Sequence, residues 1–320
     1  LLYSALPPFA GPKRSPYPYF ISLLRSHCML APLLRSKRLE IYFDPGLREN
    51  VAVEDLVKLW ARNGVRIIHA GAWHEYPEWT YEYDWLIELA HQNGMLVYAW
   101  LVLPFVSPKF HGEHPQWHEK NPFGEQVGVD WRKAIALTDP ECMKAVKRHL
   151  TDFFTRYPFD GVNLAGLHFW SEGPDKPEPI SPFNEAACKR FSDQSGYDPR
   201  TIWDAASQKF WKRSPESLKQ FNEWRAALTT ELHREFLDFF GKLEGRNGRA
   251  FVVSTLDSKA LPGKKELLGV DTVELLKLRK EHPFTLQFMD PGKQRPLGKE
   301  RIASLIQDYG AWISPSEITL

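Results

Sequence analysis

The chain has 320 residues, a length that fits one large α/β barrel or two domains of modest size. Hydrophobic residues make up 43% and charged residues 25%, which is typical of a globular protein with a sizeable core. The formal net charge of only +1 does not indicate a nucleic acid or an anionic membrane as partner, and no run is long and apolar enough to span a bilayer.

The first 38 residues are rich in proline and become basic around Arg35, Lys37 and Arg38. This composition predicts an arm or cap over residues 1–38, and it places the domain itself at residues 39–320. Because the sequence starts without methionine, we expect it to be a segment of a longer, multidomain precursor.

Strand and helix signals alternate from residue 39 onward. The predicted strands are residues 39–43, 65–70, 95–102, 161–169 and 250–255, with weaker candidates at 268–273, 284–288 and 311–313. Predicted helices lie at 53–62 and 83–92, from Pro140 onward, after Pro182 and at 218–240. A repeated strand-then-helix order requires a parallel sheet, and about eight strands favour a closed (β/α)₈ TIM barrel. An open doubly wound sheet is the alternative, although no glycine-rich phosphate loop follows any strand.

In such a barrel the active site lies at the C-terminal ends of the strands. Those ends carry many aromatic and polar side chains, which suit a cleft that stacks rings against sugars, and the chain has 12 Trp in all. The candidate substrate-binding residues are Tyr42, His69, Trp73, Tyr98, Trp100, Asn163, His168, Trp170 and Gln287.

Four carboxylates also follow predicted strands: Asp44, Glu172, Asp257 and Asp290. Cleavage of a glycosidic bond commonly needs two carboxyl groups, one to protonate the leaving oxygen and one as nucleophile or base. Any one of the four could instead cap a helix or pair with a loop cation, so the prediction rests on several of them lying at strand ends.

The long insertion at residues 103–132 contains His111, His114 and His118. Their spacing matches no zinc signature, and Pro115 prevents one helix face from collecting them, so we predict a lid or a substrate-shaping loop. The cysteines Cys28, Cys142 and Cys188 match neither a disulfide framework nor a zinc site. Neither a metal nor another cofactor is predicted.

Four segments of the chain resemble a known family. Residues 81–86 (YEYDWL) and 94–100 (GMLVYAW), then 136–141 (ALTDPE) and 157–164 (YPFDGVNL), are similar to the family-10-like glycosyl hydrolase domains. The hydrolase barrel of bacterial poly-N-acetylglucosamine de-N-acetylases carries a similar VYAW strand. The resemblance implies a (β/α)₈ barrel, a polysaccharide substrate and an exported bacterial protein, located in the periplasm or outside the cell.

The chain departs from this family at Ala165 and Gly166, where the relatives usually carry their catalytic carboxylates. Three explanations are open. The acid has moved to a nearby loop as Glu172, it comes from another strand as Asp257 or Asp290, or the barrel has lost hydrolysis and kept binding.

The leading hypothesis is therefore a glycoside hydrolase that acts on a bacterial polysaccharide, with endo action favoured. The alternative is a catalytically inactive carbohydrate-binding barrel. A third hypothesis is a metal-assisted hydrolase that uses His69, His168 and Asp290.

Overall fold

The computed structural model describes residues 39–45, 52–73, 81, 83–128, 132–169, 171, 180–243, 250–259, 263–289, 299–315 and 318. They form two compact units. The first holds the described residues up to Gly71, those within 83–99 and those from Met289 onward. The second holds Ala72, Trp73, Tyr81 and the described residues within 100–288. The predicted arm at 1–38 lies outside the described residues.

Most of the strands lie where the sequence predicted them. They are β1 (Leu39–Phe43), β2 (Val65–Gly71), β3 (Leu96–Leu101), β4 (Phe105–Val106), β5 (Lys133–Ala134), β6 (Gly161–Ala165), β7 (Ala250–Thr255) and β8 (Thr285–Phe288). The helices are α1 (Val53–Arg62), α2 (Tyr83–Gln92), α3 (Pro108–Glu113), α4 (Pro140–Arg156), α5 (Glu185–Ser195), α6 (Pro215–Lys242), α7 (Lys264–Leu268), α8 (Thr272–Leu278) and α9 (Lys299–Tyr309).

In the first unit β1 and β2 pair in parallel, with Tyr42 opposite His69, and β3 is the other neighbour of β2. Helix α1 connects β1 to β2 and buries Leu56 and Val57. The turn after this helix needs Gly64, whose φ of +83° lies in the left-handed region. The predicted strand–helix–strand order of this part is confirmed.

In the second unit β6, β7 and β8 pair in parallel. The register sets Ala165 opposite Ser254 and Ser254 opposite Gln287. Partner residues on parallel strands point to the same face of the sheet, so this register brings side chains that are far apart in the sequence to one face. Strands β4 and β5 form a separate antiparallel pair.

The segment between β6 and β7 has an aromatic core of its own, formed with residues of α5 and α6. Phe221 lies at its centre, with ring centroids 5.0 Å from Phe183, 5.3 Å from Phe191 and 5.4 Å from Trp203. Several of the chain's aromatic residues therefore pack in the core of this segment.

Two of the weaker strand candidates were wrong. Residues 268–273 contain the end of α7 and the start of α8, because Gly269 has a φ of +66° and the Asp271 carboxylate accepts the N–H of Val273 and of Glu274. Residues 311–313 form a turn after α9, in which the N–H groups of Trp312 and Ile313 donate to the Tyr309 carbonyl.

The fourth predicted strand, at 161–169, is shorter than expected and ends at Ala165, just before Gly166 with its φ of +66°. The described residues thus form a mixed α/β structure in which parallel strands alternate with helices, with six such strands where eight were expected. A complete eight-stranded barrel stays a prediction.

Candidate functional site

Polar and aromatic side chains from β1, β2 and β3 lie together in the first unit. His69 is buried on β2, and its Nε2 lies 2.9 Å from Oε2 of the half-buried Glu40 on β1. The His69 ring also meets the edge of Tyr98 on β3, with centroids 5.5 Å apart. The predicted residues His69 and Tyr98 are therefore brought together. Glu40 was missed, because it lies inside the first strand and not at its end.

Tyr42, opposite His69, packs closely over β2. Its hydroxyl oxygen would lie 3.2 Å from a Cβ placed on Gly71, so the tyrosine would have to shift slightly to admit a side chain at that position. Glycine at this strand end therefore makes room for a predicted substrate-binding side chain.

In the second unit Asn163 on β6, Ser254 on β7 and Gln287 on β8 form one hydrogen-bonded group, called here the amide cluster. The Ser254 hydroxyl lies 2.8 Å from Asn163 Oδ1 and 2.8 Å from Gln287 Oε1, and Asn163 Nδ2 donates to Gln287 Oε1 at 3.2 Å. Two of its members were predicted as site residues, and the parallel register explains why the three meet. Ser254 had no sequence signal beyond its position near a strand end.

The strand end next to this cluster carries no carboxylate. Ala165 is the buried last residue of β6, and the N–H of Gly166 donates to the Ser254 carbonyl oxygen at 3.1 Å. A Cβ on Gly166 would make only ordinary contacts, the nearest with Val102 Cγ1 at 3.4 Å, but its φ of +66° disfavours any residue with a side chain.

Two of the four predicted acids are described, and both are buried. Asp44 follows β1 and is 4% exposed, and Asp257 follows β7 and is fully buried. Asp257 Oδ1 accepts the N–H of Lys259 at 3.1 Å, which is a turn-forming role. Glu172 and Asp290, together with the predicted Trp170, lie outside the described residues. The catalytic assignment of all four acids stays a prediction.

The predicted aromatic platforms are largely covered by protein. Trp73, Tyr98 and Trp100 are each no more than 5% exposed. The indole of Trp73 is stacked on the His149 ring of α4 at 4.5 Å and meets Phe110 of α3 at 5.1 Å. Trp73 therefore packs on α3 and α4 within the second unit, and its role in sugar binding stays a prediction.

His168 lines a small pocket of the second unit together with Glu119, Thr229 and Phe169. Burial lowers the pKa of His168 to about 4, so the ring is neutral near pH 7. Burial raises the pKa of Glu119 to about 8, although its Oε1 accepts the N–H of Lys120 at 3.0 Å. Sequence reasoning missed Glu119, since nothing in the insertion sequence indicates that this one carboxyl is buried.

Arg225 on α6 lies near this pocket and is fully buried. Its guanidinium donates to the carbonyl oxygens of Glu266 at 2.9 Å and Leu267 at 3.2 Å, which are orphan acceptors at the end of α7. Burial lowers the pKa of Arg225 to about 9, and the nearby Glu119 opposes that shift. The residue holds α6 and α7 together and was not predicted.

The histidines of the insertion do not gather around a common point. The rings of His111 and His118 are stacked at 3.6 Å, and His118 Nε2 bonds the backbone oxygen of His111 at 2.9 Å. Within the described part of the chain, no three His, Cys, Asp or Glu side chains lie close enough to hold a metal ion. Nor does this part contain a helix with the length and hydropathy to cross a membrane.

No protein-family model and no curated protein matches this sequence. Solved structures do match its fold. The PgaB (BpsB) glycoside hydrolase domain from Bordetella bronchiseptica is similar with a TM-score of 0.60 at 14% identity, covering 86% of this chain and 81% of that one. The beta-galactosidase of the haloarchaeon Halorubrum lacusprofundi has a TM-score of 0.56 at 14% identity, covering 79% of this chain and 40% of its own.

The beta-galactosidase of the psychrophilic Marinomonas ef1 has a TM-score of 0.53 at 14% identity, covering 75% of this chain and 39% of its own. The fold is glycoside hydrolase-like. The chain spans about two fifths of the length of these two beta-galactosidases. At such identities the likeness concerns the fold and not the substrate.

Proposed function

We propose that this protein is a glycoside hydrolase that cleaves internal linkages of a polysaccharide. The observation that carries the proposal is the fold, which matches that of a glycoside hydrolase domain over 86% of this chain. The amide cluster supports it, because it places polar groups near the C-terminal ends of parallel strands, where barrel enzymes bind substrate.

We assign the acid and the nucleophile or base to Asp290 and Glu172. Asp290 lies three positions after Gln287 of the amide cluster, and Glu172 follows β6 by seven positions. Asp44 and Asp257 remain in the candidate set, but their burial disfavours direct contact with a sugar. One carboxyl protonates the leaving oxygen, and the other attacks the anomeric carbon or activates water.

The test is release of new reducing ends from a panel of bacterial and plant polysaccharides. Asp290→Asn and Glu172→Gln are compared with the parent, and Asp193→Asn serves as the matched control, since Asp193 pairs with Lys189 on the exposed face of α5. Loss of activity in the first two variants alone, by about a hundredfold or more, supports the assignment. Full activity in both of them would overturn it.

A carbohydrate-binding protein without hydrolysis is the second candidate. It is favoured by Ala165 and Gly166, which leave the end of β6 without the acids that the family resemblance implies. It predicts that a polysaccharide retards the protein in an affinity gel while no reducing ends appear. Release of reducing ends by the parent protein would exclude it. Export to the periplasm or beyond remains part of the proposal and is tested by fractionation of the source cells.

A further inference from the structure

Where the three side chains of the amide cluster face each other, hydrogen-bond acceptors outnumber the protons that can be donated to them. Ser254 is fully buried and has one hydroxyl proton, while two amide oxygens lie 2.8 Å from its Oγ. Asn163 Nδ2 supplies a second proton to Gln287 Oε1 at 3.2 Å. The three side chains therefore constrain each other's orientation.

The three alternative orientations are less favourable. Turning the Gln287 amide alone would set its Nε2 against Asn163 Nδ2, two donors in contact. Turning the Asn163 amide alone would set its Oδ1 against Gln287 Oε1, two acceptors in contact. Turning both amides would leave the buried Ser254 proton with no acceptor among these three side chains, which costs free energy. The orientation with Gln287 Oε1 facing Ser254 and Asn163 is therefore favoured, and it leaves the two Nε2 protons of Gln287 for other partners.

Exposure differs sharply within the cluster. Asn163 and Ser254 are 0% exposed, whereas Gln287 is only half-buried. A bound molecule can therefore reach Gln287 but not the other two. In the structure the buried Asn163 donates to Gln287.

We propose that the amide cluster presents the Gln287 Nε2 amide as a fixed hydrogen-bond donor to an acceptor oxygen of a bound glycan. Asn163 and Ser254 are positioning residues that hold the amide in this orientation. A donor whose orientation is set in advance loses less conformational entropy on binding, and it discriminates against a ligand that offers only a donor at that point. The inference rests on the proposed function and specifies one contact of its site.

The test is titration calorimetry with cellotetraose, xylotetraose, mannotetraose and chitotetraose. Gln287→Glu keeps the shape of the side chain and replaces the donor by an acceptor, so every tetrasaccharide that the parent binds should bind about tenfold more weakly or worse. Gln220→Glu makes the same chemical change on the exposed face of α6, where Gln220 accepts from the Tyr197 hydroxyl, and it should leave the affinity unchanged.

A double-mutant cycle separates positioning from simple structural damage. Asn163→Asp replaces the donor to Gln287 by an oxygen, so the Gln287 amide should turn inward and affinity should fall as in Gln287→Glu. The double variant should lose little more affinity than the single variant that binds less tightly. Melting temperatures identify any variant that does not fold.

The outcomes distinguish the two proposals. The inference is overturned if Gln287→Glu binds the sugars as tightly as the parent. It is also overturned if the losses of binding free energy in the two single variants add up to the loss in a folded double variant. Either result leaves the proposed function intact. A parent protein that binds none of the four sugars and cleaves no polysaccharide overturns the proposed function, and the inference with it.

Discussion

The indole ring of Trp73 is stacked on the imidazole ring of His149, with centroids 4.5 Å apart and planes 18° from parallel. Trp73 follows β2 directly and has a φ of +55°, a left-handed conformation that is strained for a bulky residue. Its indole N–H is buried and has no hydrogen-bond partner among the described residues. Packing against His149 and Phe110 therefore offsets both the strain and the lost hydrogen bond.

We expect Trp73→Phe to retain most of the stability and Trp73→Ala to lose much of it. Phenylalanine keeps a ring on His149 and removes the buried N–H, so the free energy of unfolding should change by about 1 kcal/mol or less. Alanine removes the stacking and leaves a cavity, which should cost about 3–5 kcal/mol. Urea unfolding measures both, and a Trp73→Ala variant as stable as the parent would contradict the packing role.

We expect stability to be greatest near pH 6.5, because two kinds of buried group have opposite pH dependence. The pKa of Glu119 in the folded state, about 8, lies above its ordinary value of 4.5. The contribution of Glu119 to the free energy of unfolding is therefore full below pH 4.5 and falls as the pH rises towards 8. Burial lowers the pKa of His168 and of His233 from 6.5 to about 4, so their contributions are lost as the pH falls from 6.5 to 4. Between pH 4.5 and 6.5 the two histidines outweigh the one carboxyl.

Glu119→Gln isolates the alkaline side of this profile. Over the 1.5 pH units from 6.5 to 8 the parent should lose about 2 kcal/mol, and the variant should lose little, because a neutral amide does not titrate. The measurement is the urea midpoint of both proteins at pH 5, 6.5 and 8. A parent that becomes more stable above pH 6.5, or an equal slope in the variant, would refute the assignment.

We expect Arg225→Lys to destabilise the protein by about 2–3 kcal/mol, because an ammonium group cannot reach the Glu266 and Leu267 carbonyls together. Arg234→Lys is the matched control. Arg234 is on the same helix and pairs with Glu281 at the surface, and its replacement should cost about 0.5 kcal/mol or less. Equal losses of stability in the two variants on chemical denaturation would show that the two buried hydrogen bonds of Arg225 stabilise the protein no more than the surface ion pair of Arg234.

We expect Asp139→Ala to cost about 1 kcal/mol, because Asp139 caps α4. Its Oδ1 accepts the N–H of Glu141 at 2.9 Å and of Cys142 at 3.0 Å. Asp139→Asn keeps an oxygen that can accept these bonds and should retain most of the stability. The comparison of the two melting temperatures checks the cap. Equal losses in both variants would indicate that Asp139 stabilises α4 through its charge and not through these two hydrogen bonds.

Local sequence signals predicted the elements well wherever chain-local physics decides the structure. The helix start at Asp139 and Pro140 needs only neighbouring residues, and the strand at residues 250–255 is apolar enough to be recognised on its own. The candidates at 268–273 and 311–313 failed because short apolar runs are compatible with a helix as well as a strand. There Asp271 and the Tyr309 carbonyl decided the outcome through caps and turns.

By itself the sequence determined the α/β class, the order of most elements and the polar character of the strand ends. The tertiary structure alone decided which of those side chains meet and which are buried. Asn163 reaches Ser254 and Gln287 through the register of three strands, and the packing of distant segments buries Glu119 and Trp73. Periodicity and caps act over a few residues, whereas burial and contact depend on segments that lie far apart in the chain.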